Sequence, residues 1–251
     1  MIINTYKTQY GLVSLLKNDY GIIKPFNEGS YYDEATLLLL KQYINPNMNI
    51  LEIGGHCGTS SLIYSSFINK KLYVYEPQQN MYQLLVYNIN QNNLQNKIIP
   101  INKGLFCYNG ECSFNDYDYA SHSYISKRYN EESDLSCNFG GACLGTDGEK
   151  VQVITMDTLE HDNIGFIHCD AQGSENFIFS QGLNFIKKHR PVIYYENNYE
   201  HNDILYRSVV SSFLEYNKYS TFDIKKYCME ELKYSKYIDN FNGSIDTLLI
   251  P

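Results

Sequence analysis

The chain has 251 residues, of which 43% are hydrophobic and 19% charged, and it carries a formal net charge of −8. That length suits one large α/β domain, the apolar fraction is enough for a core, and the charge content is too low for a disordered chain. The acidic balance argues against a nucleic-acid partner, because phosphate neutralisation supplies most non-specific affinity. The densest basic run, "IKKHR", reads instead as cations on the negative end of a helix dipole.

Seven cysteines (57, 107, 112, 137, 143, 169 and 228) include no C-x-x-C pair, and their odd count and irregular spacing point to neither a zinc site nor a disulfide framework. Several lie in apolar runs and are expected as small buried thiols. The start, "MIINTYKTQYGLVSLLKNDY", lacks a basic leader followed by a clean apolar stretch, and no apolar run is long enough to span a bilayer. A reducing, cytoplasmic setting with no membrane partner is the expectation. The Tyr-rich, Trp-free composition (25 Tyr) reads as AT-rich coding.

In chain order, residues 1 to about 30 read as an irregular N-terminal arm, with a single domain over 31–251. "DEATLLLLKQYI" reads as a helix capped near Asp33. "ILEI" is a buried strand, "GTSSLIYSSFI" a helix starting on a glycine turn, and "KLYVYEP" a second strand ended by Pro77. "QNMYQLLVYNINQNN" is a helix and "KIIPIN" a third strand. "GLFCYNGECSFNDY" reads as a hairpin around Asn109-Gly110. Residues 115–148 are polar, aperiodic and rich in Ser, Gly and Tyr, as a substrate-side insertion would be. Regularity returns with "VQVITM" as strand, "DTL" opening a short helix, "IGFIHCD" as strand and "AQGSENFIFSQGLNFIKKH" as helix. "RPVIYYEN" is a strand, "ILYRSVVSSFLEYN" a helix, and "YSTFDI" and "SIDTLLI" are closing strands. Alternating strands and helices predict βαβ units in a doubly wound, Rossmann-like, mostly parallel sheet of about seven strands, with helices on both faces and a side hairpin. Ligands of such sheets sit at the carboxyl ends of the strands, beside the switch point.

The stretch "ILEIGGHCGTSSL" concentrates glycines where a strand turns into a helix, so the backbone can approach a ligand closely. Glu76, at the end of the next strand, stands where a carboxylate can take ribose hydroxyls. A dinucleotide fingerprint would need glycine at Ile53, which disfavours a nicotinamide-dependent oxidoreductase. Glu52, Gly54 and Gly58 instead satisfy an acid-x-G-x-x-x-G spacing, which resembles motif I of class I S-adenosylmethionine-dependent methyltransferases. A ligand-free tight turn is the bland alternative.

Together with "VYEPQQNMYQLLVYNI", "VITMDTL", "IGFIHCDAQGSENFIFSQG" and "HRPVIYYEN", in that order, the turn resembles the FkbM family of methyltransferases over roughly residues 30 to 200. His56 stands where that family usually has Asn, Gly55 for Ala, His168 where Lys is common, and Ala171-Gln172 for Val-Glu. Glu76, Pro77, Asp157, Asp170, Gly173 and Glu175 are all present. The resemblance implies S-adenosyl-L-methionine as cofactor, held by Glu52, Gly54, Gly55, His56, Gly58, Thr59, Ser60, Glu76, Pro77, Asn102, Lys103 and Asp170. It implies mainly O-methylation of a small-molecule or carbohydrate acceptor.

Methyl transfer needs an aligned nucleophile and a base for its proton. The catalytic candidates are Asp170, His122 and Glu196, with His168 as a further possible base; no metal cluster is recognisable, though two carboxylates and a histidine near the cleft leave a metal open. Each has a bland alternative: Asp157 as a helix cap, Glu175 as a first-turn acid, His122 as a solvated loop residue, Asp170 as a paired strand-end carboxylate. A non-catalytic adapter keeping this fold is the rival function.

Overall fold

The computed structural model describes residues 2–115, 117–118, 123–124, 137–145, 148–197 and 222–251. The chain opens with strands β1 (Ile3–Thr8) and β2 (Gly11–Leu16), then helices α1 (Tyr20–Asn27) and α2 (Glu34–Leu40). There follow β3 (Asn49–Ile53), α3 (Thr59–Phe67), β4 (Leu72–Tyr75), α4 (Gln79–Gln91) and β5 (Ile98–Ile101). Short strands β6 (Gly104–Leu105), β7 (Gly110–Phe114), β8 (Tyr117–Asp118), β9 (Ser123–Tyr124) and β10 (Leu144–Gly145) lead to β11 (Lys150–Ile154) and β12 (Ile164–Cys169). The rest comprises α5 (Glu175–Ser180), α6 (Leu183–His189), β13 (Val192–Glu196), a helical turn α7 (Ile224–Lys226), β14 (Lys236–Ile238) and β15 (Asp246–Ile250).

Among the described residues, seven strands form the main sheet in the order β14-β15-β13-β12-β3-β4-β5. The five from β13 to β5 are parallel, and β15 runs antiparallel to β13. The order reverses between β3 and β12, which pair directly, so the predicted switch point lies where "ILEI" meets "IGFIHC". Strand alternation sorts the core into two faces. Ile50, Leu72 and Val74 pack with Leu62, Ile63 and Leu85 of α3 and α4, while Leu51, Ile167 and Ile193 pack with Ile178, Phe179 and Ile186 of α5 and α6. Full burial of each such side chain stabilises by about 1.5–3 kcal/mol. All seven cysteines are buried, as expected of small apolar fillers. Among the described residues no helix is long and apolar enough to cross a membrane.

Four differences from the sequence reading have local causes. Residues 3–16 are not irregular: β1 and β2 form an antiparallel hairpin whose inner strand buries Val13, Leu15 and Leu16. Asn88 of α4 fastens it, donating to Ser14 O (2.9 Å) and Cys57 O (2.8 Å) while accepting from Ser14 N (2.8 Å). The residues flanking Asn109-Gly110 are not hairpin partners, because β11 lies between β6 and β7 in a separate sheet ordered β10-β7-β11-β6. That also takes "VQVI" out of the main sheet. The helix expected over 171–189 is two helices, broken by Gln181-Gly182. The described end of "YSTFDI" forms no strand: Asp223 caps α7 by accepting from Lys226 N, and the helix starts at Ile224. The edge place in the sheet goes to β14, too short and exposed to show in the sequence. The helix expected at "ILYRSVVSSFLEYN" lies outside the described residues.

Candidate functional site

A cavity of about 500 Å³ opens at the carboxyl ends of β3, β4, β12 and β13. One end of it is the glycine turn. Gly54 follows β3 with a left-handed φ of 86°, and a Cβ there would lie 1.8 Å from the Asp170 carbonyl oxygen, so only glycine lets the ends of β3 and β12 approach. Gly54 and Gly55 donate to the Tyr75 carbonyl (2.9 and 3.1 Å). Gly58, at φ 89°, starts α3, and a Cβ there would press on Leu85 at 2.6 Å.

Glu76 closes this end. Its Oε2 accepts from His56 N (2.7 Å) and its Oε1 from Gln78 N (2.8 Å). The side chain is buried, and burial raises its pKa to about 7 against the opposing pull of the two backbone N–H donors. Each oxygen keeps acceptor capacity beyond its backbone bond. His56, in left-handed conformation, lies over the turn with Nε2 3.4 Å from Asp19 Oδ2, and burial pushes its imidazole down to about 4.

The other end is built by β12 and its neighbours. His168 and Glu52 are register partners on adjacent strands, facing α3. Glu52 is fully buried, accepts from the Ser60 and Ser61 hydroxyls, and lies 3.8 Å from His168 Nδ1. Tyr64 OH is 3.3 Å from the same nitrogen. Burial works against protonation of His168, but the Glu52 hydrogen bond and charge, with Asp170 and Asp246 beyond, raise its pKa overall.

Asp170 ends β12 and opens onto the cavity. Gln172, in left-handed conformation, donates from Nε2 to Asp170 Oδ1 (2.5 Å) and to Glu196 Oε2 (3.1 Å), so one neutral amide joins the two carboxylates. Enclosure by the protein raises the Asp170 pKa, partly offset by the His168 charge and the Gln172 hydrogen bond. Glu175 Oε1 accepts from Ala171 N (2.8 Å), bracing the turn that carries Asp170. Single carboxylate oxygens of Asp170, Glu175 and Glu196 lie within 4.8 Å of one another, a donor set a hard divalent ion would accept.

Of the residues expected at the cofactor, Gly54, Gly55, His56, Thr59, Ser60, Glu76, Pro77 and Asp170 line the cavity. Three do not. Strand alternation turns Glu52 away under α3, where it orders Ser60, Ser61 and His168. Asn102 acts from behind, donating to the carbonyls of Glu76 (2.9 Å) and Pro77 (3.1 Å), and Lys103 is exposed at the surface. Among the catalytic candidates Asp170 and Glu196 meet, and His122 lies outside the described residues. Asp157 is a cap, though not of its own turn: it accepts from Phe185 N (2.9 Å) at the start of α6. Cavity residues that the sequence reading missed come from remote segments: Asp19, Tyr32, Asp33, Tyr194 and Asp246. From the insertion, Asn138, Gly140 and Gly141 reach the wall, where Gly140 lies near His56 and Phe139 O accepts from Gln78 Nε2 (3.3 Å). That puts the insertion's described end beside the glycine turn.

The Methyltransferase FkbM domain matches residues 52–228. The chain belongs to the FkbM methyltransferase family. The match takes in the turn, Glu76, Asp170 and Glu196 of this FkbM chain. Among solved structures, it is similar to the methyltransferase FkbM of Methylobacillus flagellatus KT, with 14% identity and a TM-score of 0.44 over 66% of this chain and 38% of that one. It therefore spans well under half the length of that relative. It is also similar to an O-methyltransferase from Bacillus cereus in complex with SAH, with 13% identity and a TM-score of 0.46 over 86% and 79% of the two chains. Scores this low carry nothing about substrate or cofactor here. No curated protein sequence matches.

Proposed function

We propose that this chain is an S-adenosylmethionine-dependent O-methyltransferase acting on a hydroxylated small molecule or sugar. The observation that carries the reading is that Glu76 and Asp170 line one cavity from the ends of β4 and β12, the two strands that flank β3 and its glycine turn. The residues present fit the cofactor. The volume falls within the usual ~300–1,000 Å³ of ligand sites, the turn leaves no room for a Cβ at Gly54, and the wall offers carboxylates to ribose hydroxyls and to cationic groups.

When bound, the cofactor would supply an electrophilic methyl on sulfonium sulfur, the C–S electron pair staying with sulfur once the acceptor oxygen takes the methyl. The chain's own task is alignment and proton removal. Glu76 holds ribose hydroxyls while pinning His56 N. Asp170, poised by enclosure and held by Gln172, takes the hydroxyl proton, with Glu196 sharing the same amide. His168 stands two residues along the strand as a local positive charge that favours the ionised Asp170.

Calorimetry with S-adenosylmethionine, S-adenosylhomocysteine and NAD tests the reading. The two sulfur ligands bind and NAD does not. A protein that binds none of them is an adapter in this fold, and one that binds only NAD returns the site to the oxidoreductases.

A further inference from the structure

The cavity wall is one-signed. Among the described residues it includes six carboxylates and no Lys or Arg, with His56 and His168 the basic side chains present. At the Glu76 end the carboxylate is occupied by two backbone N–H groups, and Asp19 faces His56. At the other end Asp33, Asp170 and Asp246 converge from three elements: the start of α2, the end of β12 and the start of β15. They act on each other and on His168, whose Nδ1 faces Glu52 at 3.8 Å. Among the described residues Asp246 accepts from two neutral donors, the Tyr194 hydroxyl (2.5 Å) and the Ser244 hydroxyl (2.6 Å).

Two further observations point to a ligand. Tyr32 and Tyr194 line this end, and the charges of Asp170 and Asp33 act on Tyr32, so rings and carboxylates share one space. Ser174 lines the same cavity, is 3% exposed, and its hydroxyl has no hydrogen-bond partner among the described residues. A buried hydroxyl in that state is open to a polar group in the cavity.

We propose that the methyl acceptor is an amino alcohol: an organic cation whose protonated amine sits among Asp33, Asp246 and the Tyr32 and Tyr194 rings, and whose hydroxyl is presented to Asp170. This rests on the methyltransferase reading and narrows its acceptor. An ammonium relieves the mutual repulsion of the carboxylates and lies well over tyrosine faces. A phosphorylated or carboxylated acceptor meets like charge, and a neutral polyol leaves the repulsion in place. The amine, protonated and held by carboxylates, is not the nucleophile, so the methyl goes to oxygen and the hydroxyl proton to Asp170.

The test uses matched triads on the protein saturated with S-adenosylhomocysteine: glucosamine, glucose and glucuronate; 2-aminoethanol, ethylene glycol and glycolate. Binding is read by saturation-transfer NMR and titration. The amine of at least one triad binds at least about tenfold more tightly than its neutral partner, and the acid does not bind. Asp33→Asn and Asp246→Asn each weaken that binding about tenfold, the scale of one charge-assisted contact, with S-adenosylhomocysteine affinity unchanged. Asp33 is exposed and its left-handed backbone accepts Asn, so this variant folds even if Asp246→Asn does not. Equal or tighter binding of neutral or acidic members, binding of no amine, or amine affinity unmoved in Asp33→Asn overturns the proposal. Failure of S-adenosylhomocysteine to bind the wild-type protein overturns the methyltransferase reading instead, and the triads remain readable on the unloaded protein.

Discussion

The two ends of the cavity are built by opposite means. The glycine-turn end is local: Gly54 to Gly58, Glu76 and Gln78 come from one stretch of chain around a single βαβ unit, and its carboxylate is held by main-chain N–H groups. The carboxylate end is dispersed: Asp33, Asp170, Glu196 and Asp246 come from four elements and are tied by side chains such as Gln172 and Tyr194. Backbone donors have fixed positions wherever the fold is right, so the first end suits a ligand that never changes. Side-chain networks can be exchanged one residue at a time, which suits the variable partner of a transferase.

Four measurements break or sharpen that contrast. The largest effect is expected at the dispersed end. Asp170→Asn keeps shape and removes basicity, so the transfer rate falls by about 10²–10⁴, the usual scale for a lost general base, while calorimetric affinity for S-adenosylhomocysteine hardly moves. An unchanged rate would make Asp170 a strand-end brace. Next comes the seam between the ends. Gly54→Ala forces a Cβ against the Asp170 carbonyl and a left-handed φ onto alanine, and denaturant titration shows a loss of about 3 kcal/mol or more.

A smaller effect belongs to the local end and is read through pH. Ribose hydroxyls donate to Glu76, so binding favours its ionised form, and the free protein ionises it near pH 7. Affinity for S-adenosylhomocysteine therefore rises roughly tenfold between pH 6 and pH 8, and Glu76→Gln flattens the profile. The sign for folding is opposite. Because the folded pKa lies above the unfolded one, the native state holds the extra proton from about pH 4.5 to about 7, and this group's contribution to stability declines as pH rises through that window. The smallest change is a control away from both ends. Asp157→Ala strips the cap from α6 and costs about 1 kcal/mol by thermal melting, with ligand affinities intact.

The contrast also explains what the sequence disclosed. Parallel strands buried on both faces leave unbroken apolar runs, so "ILEI", "IGFIHC" and "VIYYE" were readable, as were the glycines and Glu76, which keep a fixed spacing within one unit. β14 has two exposed residues and an intermediate one, and so no pattern to detect. The β1–β2 hairpin alternates only partly, because its inner strand is buried over four consecutive residues. Asp33 and Asp246 looked like an ordinary helix start and strand start, and only the closing of β15 against β13 brings Asp246 to the site. Glu52 had the right spacing for a ligand contact, but spacing does not say which face of a strand a side chain takes, and here it faces α3.

Asn88 sets an order of assembly. The hairpin precedes α4 in the chain, and the amide that fastens Ser14 and Cys57 lies 74 residues further on from Ser14. The hairpin's tie to the core therefore forms only with α4 in place. When it does, the same side chain locks the hairpin and the glycine turn in one event, so the ligand pocket and the N-terminal segment mature together.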